Sequence, residues 1–152
     1  MDIKGKIAVI TGAASGIGRA AAEDLRKHGV AALALVDISD AVIDVAAELN
    51  KSNASQVAFA FCGDTTDATF RRKVFETMRE QHGAVNICVP AAGITRDAIA
   101  VKMNKEKGKA NLYPIEHFRL VMEVNLIAPV YWALEMVAQQ AEGRFADRKS
   151  VV

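Results

Sequence analysis

The stretch Ile7-Ala8-Val9-Ile10-Thr11-Gly12-Ala13-Ala14-Ser15-Gly16-Ile17-Gly18-Arg19-Ala20-Ala21 constrains this chain more than any other. An apolar run of branched residues ends in a small, glycine-spaced turn, and helical periodicity begins at once. A strand, a tight loop and a helix N-terminus in that order present free backbone N–H groups and a positive dipole end to an anion. Glycines at 12, 16 and 18 let the chain turn sharply and let a phosphate approach the backbone without meeting a Cβ.

Two further apolar runs repeat the pattern. Residues 17–28 predict a helix with Ile17, Ala21 and Leu25 on one face, stopped by Gly29, and the small Ala20, Ala21 and Ala22 suit close packing on a sheet. Residues 31–36 form a second strand ending at Asp37. Ser39 or Asp40 can cap a helix striped by Val42, Val45, Ala46 and Leu49. A polar loop from Asn50 to Ser55 precedes a third strand, 57–62, and Asp67 is placed to cap a helix burying Phe70, Val74 and Met78 up to Gly83. A fourth strand, 85–89, leads into Pro90-Ala91-Ala92-Gly93. The strands are apolar throughout rather than alternating, as strands covered on both faces are. The expected fold is α/β, a doubly wound (Rossmann) mostly parallel sheet with helices on both faces and a ligand at the C-terminal strand ends.

Thr95 to Pro114 differs in character. Lys102, Lys105, Lys107 and Lys109 make it a polar, basic stretch, read as an exposed loop at the mouth of the site. Pro114 suits the first turn of a helix over 115–141 with Phe118, Met122, Leu126 and Val130 on roughly one face. The remainder after Glu142 is short and charged, which speaks against a buried strand.

Composition excludes several classes. Apolar residues make up 51% and charged ones 24%, a globular balance, and the net charge of +1 gives no reason to expect nucleic acid or an anionic membrane as partner. No basic-then-apolar leader opens the chain, and no apolar run reaches the roughly 18 residues of a membrane span. Cys62 and Cys88 sit in or beside strand-like runs and read as small buried hydrophobes in a reducing, cytoplasmic compartment. His28, His82 and His117 have no metal-ligand spacing, so no metal is expected; His28 and His82 suit helix ends. Trp132 and Met136 read as packing or interface residues. The 152 residues are expected to form one domain, 1–152.

Asp37 ends the second strand about 20 residues past the glycine turn, where a dinucleotide-binding domain places an acid to accept hydrogen bonds from the adenosine ribose. The same carboxylate disfavours a 2′-phosphate: like charges about 4 Å apart repel by roughly 1 kcal/mol in water and about 4 at an effective dielectric of 20. NAD is therefore expected over NADP, unless Arg19 or a loop lysine offsets the repulsion.

With that acid in place, Thr11-Gly12-Ala13-Ala14-Ser15-Gly16-Ile17-Gly18 resembles the cofactor signature of the classical short-chain dehydrogenase/reductase family, with its Gly-x-x-x-Gly-x-Gly spacing. Three more segments match in order. Asp64-Thr65 resembles the Asp-Val pair that contacts adenine, Ala91-Ala92-Gly93 the Asn-Ala-Gly element, and Val124-Asn125-Leu126 the segment carrying the active-site asparagine. Gly93-Ile94-Thr95-Arg96-Asp97 is similar to the 3-oxoacyl-(acyl-carrier-protein) reductases and acetoacetyl-CoA reductases. The resemblance implies hydride transfer between nicotinamide and a ketone or secondary alcohol, with a 3-oxoacyl thioester as substrate class. It places cofactor contacts at Gly12, Ser15, Gly16, Ile17, Gly18, Asp37, Ile38, Asp64, Thr65, Ala91, Ala92 and Gly93, and a catalytic role at Asn125. It also implies a homo-oligomer through the helix near 115–141.

Two departures stand out. Ala91 replaces the family's asparagine, so a side-chain tie between central strands is lost and a modest loss of rigidity is expected. The family's serine and its Tyr-x-x-x-Lys pair have no counterpart: Tyr113 is followed four positions on by His117, and Tyr131 by Glu135. The chain is accordingly expected to be the cofactor-binding part of a longer enzyme, lacking the C-terminal strands, with an open sheet edge beside the fourth strand and no turnover alone. The alternative is a short protein that binds a dinucleotide without chemistry, as a sensor or subunit. Pro129, four residues after Asn125, has no N–H for the Asn125 carbonyl, which predicts a water-filled irregularity in that helix.

Overall fold

The computed structural model describes residues 2–51 and 56–149. Four strands, β1 (Ile7–Thr11), β2 (Ala32–Asp37), β3 (Ala58–Cys62) and β4 (Ile87–Pro90), form one parallel sheet in the order β3-β2-β1-β4. Helices α1 (Gly16–Lys27), α2 (Ala41–Asn50) and α3 (Ala68–His82) make the crossovers. The order reverses between β1 and β4, which opens a crevice at the carboxyl end of the sheet, where such folds hold ligands.

Strand alternation builds a core on each face. Ala8, Ile10, Leu33 and Leu35 meet Ala22, Leu25, Val42, Val45 and Ala46 of α1 and α2. Ile7, Val9, Ala34 and Val36 meet Val74, Phe75 and Met78 of α3 together with Trp132. Each such large side chain removed from water contributes about 1.5–3 kcal/mol, so the apolar strands are stable only with both layers present. Asp67 caps α3 as expected, accepting the Thr69 and Phe70 N–H groups at 2.7 and 3.2 Å. Asp40 occupies the N-cap position of α2 without a side-chain bond, while the Ser39 hydroxyl accepts the Ala41 N–H at 3.3 Å. Of the polar loop expected at Asn50 to Ser55, residues 52–55 lie outside the described residues. Asn50 itself ends α2 and its carboxamide binds the start of β3, accepting the Val57 and Ala58 N–H groups at 2.9 Å.

Several expectations are corrected. The inward face of α1 is Gly18, Ala22 and Leu25; Ile17 is 81% exposed and Ala20 is exposed. The helix begins one residue earlier than its apolar pattern indicates, and contact between Gly18 and the strand end sets its rotation. The basic stretch 95–114 contains an antiparallel hairpin, β5 (Val101–Asn104) with β6 (Lys109–Leu112). Val101 opposes Leu112 and Met103 opposes Ala110, while Lys102 opposes Asn111 and Asn104 opposes Lys109, so two short period-2 patterns were hidden by the lysines. Asn104 Oδ1 accepts the Glu106 and Lys107 N–H groups at 3.1 Å, and Gly108 supplies the left-handed residue of the turn (φ +59°).

The last helix runs as α4 (Ile115–Met122), a π-helical turn (Glu123–Ile127) and α5 (Ala128–Lys149). It therefore continues past the expected end at 141, and its charged end pairs with α3 through Arg79 and Glu142 at 2.9 Å. Its expected apolar face is turned outward. Phe118, Leu126 and Val130 are each about half exposed, and Ala128, Trp132 and Gln139 point inward instead. Insertion of the π turn shifts the register of α5 relative to α4. By length and composition, Ile115–Ala146 could also cross a bilayer, with a mean hydropathy of 1.4 in its most apolar 18 residues, against the expectation that no stretch is long enough. Glu123, Asn125 and Glu135 interrupt the apolar run without outweighing it. In this fold the helix docks on the sheet face through Trp132.

Neither cysteine is bonded to the other. Cys62 is exposed at the end of β3, contrary to expectation, with Sγ 3.5 Å from the Ile38 carbonyl. Cys88 is half-buried and its burial pushes the thiol pKa up to about 11.

Candidate functional site

A cleft of about 650 Å³ opens where the four carboxyl strand ends meet the last helix. Gly12, Ser15, Gly16 and Ile17 form its floor, Asp37 and Ile38 one flank, and Asp64 and Thr65 the next. Ala91, Ala92 and Gly93 close the far side, joined by Ile94, Arg96, Leu120 and Val124. Of the residues expected in the site, only Gly18 and Asn125 stand outside the lining, and both support it.

The glycines divide the work. A Cβ on Gly18 would lie 2.2 Å from the Gly12 carbonyl oxygen, and one on Gly12 (φ +67°) would lie 2.8 Å from the Ala92 backbone. These two permit contact of helix with turn and of turn with the segment after β4. Around Gly16 (φ +54°) a Cβ would meet nothing within 4 Å, so the turn offers open space there to a group approaching the helix N-terminus.

Asp37 holds the turn in place as well as lining the cleft. One carboxylate oxygen accepts the Ala14 N–H at 3.0 Å and the other the Ser39 N–H at 3.0 Å. Arg19 is engaged elsewhere. Its guanidinium is bound to Glu23 at 3.0 Å and to Glu48 at 2.8 Å, and these two, the Glu23 hydrogen bond foremost, hold it more firmly protonated than a free arginine.

On the opposite wall, Asn125 sits in the π turn and reads the backbone of Ile94 in both directions. Its Nδ2 donates to the Ile94 carbonyl and its Oδ1 accepts the Ile94 N–H, each at 2.8 Å. In the π turn the Ala128 N–H reaches the Glu123 carbonyl, one residue beyond the usual α-helical acceptor. The irregularity expected from Pro129 is thus a π turn.

The cleft wall beside Ala91 is tied to β1 by a side chain that the sequence pattern does not reveal. The Thr11 hydroxyl, on a residue 2% exposed, accepts the Ala92 N–H at 3.1 Å. Trp132, expected as a packing or interface residue, is buried in the core, and its indole N–H also donates to the Thr65 carbonyl at 2.9 Å. Ile94, Arg96, Leu120 and Val124 were not singled out either, although Leu120 and Val124 lie within five residues of Asn125. His28 binds within its own helix end, Nδ1 lying 2.8 Å from the Asp24 carbonyl, and His82 packs on Phe59 with the rings tilted at 43° and their centroids 4.5 Å apart.

A family model for short chain dehydrogenase matches residues 6–147. The chain belongs to the short chain dehydrogenase family. It is similar to the 3-oxoacyl-(acyl-carrier-protein) reductase FabG of Escherichia coli (strain K12), 33% identical over 107 residues, covering 70% of this chain and 42% of that protein. The FabG of Thermotoga maritima is 31% identical over 156 residues, covering all of this chain and 58% of that one. Among solved structures, a short chain dehydrogenase/reductase from Burkholderia phymatum in complex with NAD superposes with a TM-score of 0.71 at 25% identity, covering 91% of this chain and 44% of that one. A short-chain dehydrogenase from Novosphingobium aromaticivorans shares the fold with a TM-score of 0.77 at 20% identity, over 96% and 49% of the two chains. The chain thus spans about half the length of the relatives it matches. The family is one of oxidoreductases that bind a nicotinamide dinucleotide.

Proposed function

We propose that this short chain dehydrogenase chain, taken as a single unit over 1–152, binds NAD in preference to NADP in the cytoplasm. The observation that carries the reading is Asp37, an anion on the cleft flank whose nearby cation, Arg19, is already held by two glutamates. A 2′-phosphate there would face the Asp37 carboxylate, while the Arg19 guanidinium is turned to Glu23 and Glu48. The residues fit the cofactor: open space at Gly16 receives the pyrophosphate, Gly12 and Gly18 bring the turn to its seat, and Ser15 and Ile17 flank it. Asp37 takes the ribose hydroxyls with Ile38 beside it, Asp64 and Thr65 the adenine, and Ala91, Ala92 and Gly93 the nicotinamide side.

When bound, NAD supplies a hydride acceptor for oxidation of a secondary alcohol, or as NADH the donor for reduction of a ketone. Asn125 holds the Ile94 backbone, and through it the wall on which the substrate oxygen would be presented. Similarity to the FabG proteins favours a 3-oxoacyl thioester as substrate of the complete enzyme. Neither Tyr113 nor Tyr131 has a lysine four residues on, so no pair here can move a proton to that oxygen. The proposal for this chain is therefore binding without turnover, with the half-exposed helix face of Leu126, Val130, Leu134 and Val137 joining copies into a homo-oligomer.

Calorimetric titration with NAD and NADP tests the cofactor reading, and NADH consumption with an acetoacetyl thioester tests the lack of turnover. NAD is expected to bind at least about fivefold more tightly, from the roughly 1 kcal/mol minimum repulsion at Asp37. Equal or tighter binding of NADP would overturn the reading.

A further inference from the structure

We infer that Trp132 is a positioning residue for the adenine end of the dinucleotide, acting through the carbonyl of Thr65; this rests on the cofactor reading above. Trp132 stands on α5, and none of its surface is exposed. Its Nε1–H donates to the Thr65 carbonyl at 2.9 Å across 67 residues of sequence. Phe75 lies beside its ring at 5.7 Å between centroids and Phe70 meets it edge-on at 6.5 Å. Phe70 in turn fills the space over Gly63, where a Cβ would fall 2.6 Å from the ring.

The segment Gly63-Asp64-Thr65 is therefore fastened from behind at each residue. Phe70 presses on Gly63, the Thr66 N–H and hydroxyl both donate to Asp64 Oδ1 at 2.8 Å, and Trp132 takes the Thr65 carbonyl. Two groups are left over. Among the described residues, neither the Thr65 N–H nor Asp64 Oδ2 takes part in a hydrogen bond, and both residues line the cleft. A free N–H beside a free carboxylate oxygen complements the acceptor nitrogen and exocyclic amine of adenine.

A buried tryptophan generally finds a partner for its N–H. Here the partner is backbone of the cleft wall: the Thr65 carbonyl shares its peptide plane with the Thr66 N–H, which donates to Asp64 Oδ1 at 2.8 Å, so the indole fixes the peptide that aims the Asp64 carboxylate at the adenine amine. A tryptophan that only filled the core would serve as well with no N–H at all, and this difference makes the two roles separable.

Trp132 is the only tryptophan in the chain, so biosynthetic replacement by β-(3-benzothienyl)alanine exchanges its N–H for sulfur and leaves the ring shape. Trp132→Phe is the encoded counterpart. Each protein is titrated with NAD and with nicotinamide hypoxanthine dinucleotide, which lacks the exocyclic amine. The wild-type chain is expected to prefer NAD, and both variants to lose that preference by about fivefold, the scale of one hydrogen bond. A merely structural role would weaken both ligands alike and keep their ratio, and an unchanged ratio overturns the proposal, as does a wild-type chain that does not distinguish the two. A wild-type chain that binds neither ligand removes the cofactor reading itself, an outcome distinct from loss of preference.

Discussion

The carboxamide of Asn125 pairs with the backbone of Ile94 in both directions at 2.8 Å, as a neighbouring strand would. Ile94 directly follows Ala91-Ala92-Gly93, so this side chain anchors the far wall of the cleft to the last helix. Asn125→Ala removes both bonds. A loss of about 1–3 kcal/mol is expected, because two backbone groups lose their partner. Chemical denaturation measures it. Asn125→Asp keeps an acceptor for the Ile94 N–H but sets a carboxylate oxygen against the Ile94 carbonyl, so it should fall below Asn125→Ala in stability at neutral pH.

Gly18 and Gly16 are expected to respond very unequally to the same added methyl. In Gly18→Ala the Cβ would meet the Gly12 carbonyl oxygen at 2.2 Å, backbone that can move only by displacing the whole turn. Gly16→Ala meets nothing within 4 Å and is strained only by its φ of +54°, which costs an L-residue roughly 1–2 kcal/mol. Thermal denaturation should therefore show a small loss for Gly16→Ala and a chain that fails to fold, or melts far lower, for Gly18→Ala. Reversed order would show that the turn is not packed as described.

The fold was legible because four strands covered on both faces leave unbroken apolar runs, and because turns at one sheet edge carry glycine and acid at spacings the chemistry needs. The hairpin at 101–112 was not legible. Its strands have four residues each and pack on no core, so no burial enforces an apolar pattern strong enough to outweigh four lysines. The outward rotation of the last helix was hidden for a different reason. A π turn shifts register by one residue, and periodicity counted across Asn125 averages over that shift. Thr11 and Trp132 were invisible as site residues because each acts on backbone far off in sequence, Ala92 and Thr65, and a side chain's reach to a distant carbonyl or N–H leaves no local pattern.

Asp37 has two roles that substitution can separate. Asp37→Asn keeps one acceptor oxygen for either the Ala14 or the Ser39 N–H and removes the charge. The ratio of NAD to NADP affinity is expected to fall at least about fivefold, the repulsion of roughly 1 kcal/mol or more being gone. Asp37→Ala should lower that ratio similarly and also weaken NAD itself, since the glycine turn loses its tie at Ala14. Competition titrations with both nucleotides distinguish the two effects.

The helix face of Leu126, Val130, Leu134 and Val137 is 47–56% exposed along about three turns, a contiguous apolar patch of the kind that marks an interaction surface. Leu134→Glu with Val137→Lys places charges at its centre without touching Trp132 or Gln139, which face inward. Analytical ultracentrifugation should show self-association in the wild-type chain and its loss in the double variant, with nucleotide affinity retained. A wild-type chain that stays monomeric at the highest soluble concentration would rule out this face as a self-contact.

Cys88 gives the fold an alkaline limit. Its thiol is pushed up to about 11 from an ordinary value near 9 by burial alone. Between those values the folded chain keeps a proton that the unfolded chain releases, so stability falls as pH rises; below about 9 the two states hold the same proton and the group contributes no slope. Denaturation midpoints should therefore decline between pH 9 and 11 and decline less in Cys88→Ser, whose hydroxyl does not ionise there. Alkylation reports the same contrast at pH 8. Exposed Cys62 should react with iodoacetamide first, and Cys88 should react at a comparable rate only after denaturation, because the thiolate is the attacking species and burial suppresses it. Equal rates in the folded chain would show that Cys88 is neither shielded nor shifted.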